Sequence, residues 1–93
     1  MLHEETIEYL RKLYRKIFDE DAGNSKEFIS FVQEQNPHPL RIKIEEQAQK
    51  TKNDLVYQSG FANNGGMTQP LIYKMGLLSE FDSYITSYIE TYV

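Results

Sequence analysis

Ninety-three residues carrying 10 basic and 14 acidic side chains, a net charge of −4 and no cysteine describe a single small acidic domain, residues 1–93. Without cysteine there is no disulfide scaffold, thiolate zinc site or cysteine nucleophile, and a reducing compartment, the cytoplasm, is the expected location. Bases are spread thinly and none lies beyond Lys74, so nucleic acid is a disfavoured partner; apolar runs are pairs and triplets, far short of the ~20 residues a membrane span needs.

The chain opens on MLHEETIEYL, an acidic stretch without an apolar signal core, so no secretion signal is expected. Ile7, Leu10, Tyr14 and Ile17 step by three, four and three, with Leu13 and Phe18 widening the same face. That spacing predicts an amphipathic helix over 3–18. Glu4, Glu5 and Glu8 come early and Arg11, Lys12, Arg15 and Lys16 late, an order that suits the helix dipole. DEDAGNS, residues 19–25, ends the helix, with Gly23 as the expected carboxy-terminal glycine. Asn24 or Ser25 then caps a short second helix whose apolar residues are Phe28, Ile29, Phe31 and Val32. NPHP, residues 36–39, stops it.

From Leu40 two periods compete. Leu40, Ile42 and Ile44 alternate like a strand, whereas Ile44, Ala48, Thr51 and Leu55 step like a helix. EEQAQKTKNDL holds strong helix formers and no breaker, which favours a helix from about Pro39; a strand at 40–44 is the alternative. GFANNGGMTQP, residues 60–70, then reads as a turn. Thr68 and Pro70 are placed to start the last helix. There Leu78, Phe81, Ile85, Tyr88 and Tyr92 step by three and four, broadened by Leu77, Tyr84 and Ile89. Gly76 is a place where this helix could kink or split, with Ser79 and Asp82 as a second start signal.

Little in these elements supports chemistry. The glycines of the 60–70 stretch lack the spacing of a P-loop or a dinucleotide loop. They suit a reversal between helices, although Phe61 and Met67 give the stretch apolar contacts for a recognition loop. DEDAGNSKEF fails a calcium loop at three required positions, where Gly23, Asn24 and Ser30 stand. His3 and His38 are the only histidines, neither sits in a metal motif, and both are expected to be exposed. Neither a catalytic residue, a metal nor a small-molecule cofactor is expected.

The tyrosines carry the strongest signal. Tyr84, Tyr88 and Tyr92 recur every four residues and form a slightly slanting stripe. They either belong to the core with hydroxyls at its rim, or form a contact surface. Size, acidity and helix pattern are similar in architecture to small bacterial immunity proteins and small phage-borne inhibitors. That resemblance implies a protein partner and involves no particular residue. The expectation is an all-α antiparallel bundle of three to four helices, with helices 1, 3 and 4 as core and helix 2 covering one end. Its expected function is non-catalytic binding of another protein, or of a second copy, through Tyr84, Tyr88, Tyr92, Phe61 and Met67. The alternative is a nucleic-acid-linked regulator using the basic end of the first helix.

Overall fold

A computed structural model describes residues 3–57 and 65–92, the side chains of 65–68 excepted. Among the described residues four helices follow one another, α1 (Glu4–Phe18), α2 (Lys26–Gln33), α3 (His38–Tyr57) and α4 (Gly65–Tyr92), with a single 3-10 turn at Ala22–Asn24. No strand occurs among the described residues, so helix wins at 40–44. Among the described residues no helix is long and apolar enough to cross a membrane.

Local chemistry sets the boundaries. α1 ends at Asp19, which takes a left-handed backbone (φ 55°) and donates its N–H to the Arg15 carbonyl. Gly23 is therefore not the terminating glycine; it sits in the 3-10 turn, where the Asp21 side chain accepts its N–H at 2.8 Å. Aspartate can end the helix because its short polar side chain tolerates the left-handed region. Ser25 caps α2 as anticipated, its Oγ accepting the Phe28 N–H at 3.2 Å. Before α3, Pro37 is buried and its carbonyl accepts the first helical bond, from Arg41 N–H at 2.9 Å. α4 begins at Gly65 rather than Thr68, which makes half of the glycine-rich stretch helical. Pro70 lies inside it, so the Gly66 carbonyl loses its usual donor there. Gly76 neither splits nor ends α4.

Twenty-eight residues of helix span about 42 Å, and α4 thereby sets the molecule's 45 Å long dimension. α1 and α3 both pack on α4, and α2 packs on α3. The core takes Leu10, Leu13, Tyr14 and Ile17 from α1, Leu40 and Ile44 from α3, and Leu77, Leu78, Phe81, Ile85 and Tyr88 from α4. α2 does more than cover an end. Its Phe28 and Phe31 are almost fully buried, Phe28 edge-on to Tyr14 at 5.7 Å and Phe31 edge-on to Tyr88 at 5.0 Å.

Past this core the molecule thins. No residue of α3 after Thr51 is buried, nor any between Gln69 and Gly76 of α4. Gly76 is exposed, and a Cβ added there meets nothing within 4 Å. Gly76→Ala is expected to stabilise the protein by about 0.5–1 kcal/mol, because alanine loses less backbone entropy on entering a helix. A chemical-denaturation midpoint that stays put or falls would show that this part of α4 is not helical in solution.

Candidate functional site

The predicted tyrosine stripe is divided by the packing. Tyr88 is 4% exposed and belongs to the core, while Tyr84 is 39% and Tyr92 56% exposed. Position around the helix explains the difference: Tyr88 faces α2, and its ring meets both Phe31 and Tyr92 at 5.0 Å. The three nevertheless border one space. A groove of about 230 Å³ opens between the start of α1 and the end of α4, lined by Thr6, Tyr84, Ser87, Tyr88, Thr91 and Tyr92. Every one of these residues carries a hydroxyl and none carries a charge. Phe61 lies outside the described residues, and so does the side chain of Met67.

Tyr84 is held in place from α1. The Tyr9 ring stands edge-on to it at 5.7 Å, and the Tyr9 hydroxyl donates to Glu80 on α4. That hydrogen bond, aided by desolvation and the Glu80 charge, pushes the Tyr9 phenol from 10.0 up to about 12. The folded state therefore keeps this proton longer than the unfolded chain does. Its contribution to stability is present below pH 10 and is lost as pH rises from 10.0 towards about 12. Spectrophotometric titration is expected to show late tyrosines, of which Glu80→Gln returns one, Tyr9, towards 10.0. An unchanged titration in that variant would mean that Glu80 does not hold the ring.

A polar clasp joins α1 to α3. Tyr14 donates to Glu20 at 2.6 Å, and Lys43 Nζ donates to the Tyr14 hydroxyl at 2.6 Å and to Glu20 at 3.1 Å. Burial, then the bond to Glu20, pushes the Tyr14 phenol up. The same bond, then Lys43, holds Glu20 below its usual range. Burial works against the Lys43 charge, but its hydrogen bonds to Tyr14 and Glu20 outweigh it and raise the ammonium. Lys43 also lies 4.9 Å from the centre of the Phe18 ring. All these partners are accounted for within the fold, and the cluster reads as a fastening.

Two further surfaces are open. Arg11, Lys12, Arg15 and Lys16 line a groove of about 370 Å³ with Asp21 and Ala22. Arg11 is drawn towards Glu8 at 3.8 Å, an exposed pair of little energetic weight. On another side, α3 and α4 enclose a cleft of about 170 Å³ lined by Ile44, Glu45, Ala48, Met75, Leu78, Ser79 and Asp82. Asp82 Oδ1 is buried there without a hydrogen-bond donor. Sequence reasoning placed Asp82 in a helix start. Its better signal was position: Leu78, Asp82, Ile85 and Ile89 step by four, three and four, so a carboxylate interrupts an apolar stripe.

His3 and His38 are both exposed, and no cluster of metal-binding side chains occurs among the described residues. The chain matches no protein-family model, and no curated protein or solved structure is significantly similar to it.

Proposed function

We propose that this chain is a small non-catalytic protein-binding protein, a regulator, inhibitor or immunity-type factor, whose contact surface is the tyrosine groove between α1 and α4. The observation that carries this reading is the lining of that groove: three tyrosines with Thr6, Ser87 and Thr91 and no charge. Tyrosine supplies rigid apolar area with a polar tip at low entropic cost, and small hydroxyls supply adaptable hydrogen bonds. Protein contact surfaces are enriched in tyrosine and depleted of Lys, Glu and Asp at their centres. At about 230 Å³ the groove is smaller than the ~300–1,000 Å³ of typical small-molecule sites, which favours a shallow contact with a macromolecule. The partner is another protein or a second copy of the chain.

The test is affinity capture from an extract of the source cells by the whole chain and by Tyr92→Ala. Tyr92 is 56% exposed, so its truncation removes contact area with little effect on folding. A protein retained by the parent chain and lost with Tyr92→Ala supports the reading. Equal retention by both opposes it.

The basic groove of α1 supports a second reading, nucleic-acid-linked regulation, because four cations line one surface. Asp21 in the same lining and the net charge of −4 weigh against it. Titration with duplex DNA is expected to give no binding at moderate salt; tight, steeply salt-dependent binding lost with Arg15→Glu would favour the second reading instead.

A further inference from the structure

The cleft between α3 and α4 lies on a different side of α4 from the tyrosine groove. Asp82 and Tyr84 are two residues apart, hence about 200° apart around the helix. Its floor is apolar, from Ile44 and Ala48 on α3 and Met75 and Leu78 on α4. Two carboxylates, Glu45 and Asp82, stand in its lining, and they differ. Glu45 is ion-paired with Arg41 of its own helix, Nε to Oε1 3.3 Å, although the Nε makes no hydrogen bond. Asp82 is not, and its Oδ1 is buried without a donor. An unsatisfied buried acceptor is costly, more so when charged, so a donor brought to that carboxylate is favoured.

We propose that this cleft is a socket for one basic anchor side chain, Arg or Lys, of a partner protein. The aliphatic stem lies on the floor and the cationic head pairs with the Asp82 carboxylate in the cleft wall. The chemistry is that of long basic side chains, whose methylenes cover apolar surface while the head seeks a polar partner. A cleft of about 170 Å³ has room for one such side chain. A bare cation would find one free carboxylate and an apolar floor, a poor set of ligands. Charge agrees, since the unengaged group is anionic and the chain carries −4 overall. The surroundings agree as well: Ile42, one turn before Glu45, is 55% exposed, and Ile72, one turn before Met75, is 50% exposed. They offer apolar contact to the residues flanking the anchor.

The probe is a short alanine-rich helical peptide carrying one Arg with a Leu one turn to either side. Counterparts carry norleucine or Glu in place of Arg, and free arginine is run alongside. Backbone amide shifts of the isotope-labelled whole chain are followed at about 0.1 M salt, where long-range attraction is screened. The Arg peptide is expected to move residues 44–48 and 75–82, and the Glu peptide to move nothing. Asp82→Asn, which keeps the shape, is expected to weaken binding about tenfold, in line with loss of one charge-assisted hydrogen bond. Ser79→Leu blocks the cleft from an exposed position and is expected to abolish binding, while Tyr92→Ala leaves it unchanged. That last comparison separates the socket from the tyrosine groove, so either can fail alone. The proposal is overturned by absence of binding, by shifts centred elsewhere, by equal binding of the norleucine peptide, or by indifference to Asp82→Asn. Free arginine binding as tightly as the peptide would also overturn it, because the site would then serve a free amine.

Discussion

Phe31→Ala is expected to lower the unfolding free energy by about 3–5 kcal/mol, a large part of the ~5–15 kcal/mol a domain of this kind possesses. Phe31 is 1% exposed and meets Tyr88 edge-on at 5.0 Å. Truncation opens a cavity where α2 meets α4, and an eight-residue helix has few other ways to stay attached. Its only other full-depth anchor is Phe28, 2% exposed and set against Tyr14. The loss is therefore cooperative: α2 leaves α3 and exposes the ring of Tyr88. Urea unfolding followed by far-UV circular dichroism reads the effect. A loss below about 1 kcal/mol would mean that α2 is a removable cover, as the sequence pattern alone suggests.

The second large effect separates tyrosines that the sequence treats alike. Tyr88→Ala is expected to cost about 3 kcal/mol, because a 4% exposed ring packed between Phe31 and Tyr92 leaves a cavity. Tyr92→Ala, from a 56% exposed position, is expected to cost under ~1 kcal/mol. Thermal melts of the two variants check this difference. Similar losses in both would mean that the end of α4 packs differently from the arrangement described. The difference also decides which residue can report on function, since a variant that unfolds says nothing about a surface. Tyr88 builds the floor of the groove, whereas Tyr84 and Tyr92 form its accessible walls.

How much of this could be read beforehand depended on the range of the interaction involved. Local signals were legible. The three-four spacing from Ile7 to Ile17 located α1, and Ser25 capped α2 as its side chain allows. The helix formers after Glu45 correctly outweighed the alternation of Leu40, Ile42 and Ile44, because Ile42 proved to be solvent-facing on a helix. The end of α1 at Phe18 was read correctly, but its terminating residue and the start of α4 were misjudged for one reason: glycine was given too much weight as a helix breaker. Asp19 closes α1 four residues before Gly23, and α4 starts among glycines that also suit a turn.

Features that join distant segments were not legible. Nothing near Phe31 in sequence says that it meets Tyr88 rather than capping an end. Thr6 joins the tyrosine groove only because the start of α1 lies beside the end of α4. Likewise the α3–α4 cleft needs Ile44 and Ala48 to face Met75 and Leu78, residues brought together only by packing. One trace of it did exist in the sequence, the carboxylate of Asp82 within an apolar stripe.

The most direct test of the proposed function uses Ser87→Arg, which places a long charged side chain at the mouth of the tyrosine groove from an exposed position. Its melting temperature and its capture of protein from cell extract are compared with those of the parent chain and of Arg15→Glu. If the groove is the contact surface, melting is unchanged, the captured protein is lost with Ser87→Arg, and it is retained with Arg15→Glu. Retention with Ser87→Arg, or loss with Arg15→Glu alone, would contradict this reading and move the contact surface to the basic face of α1.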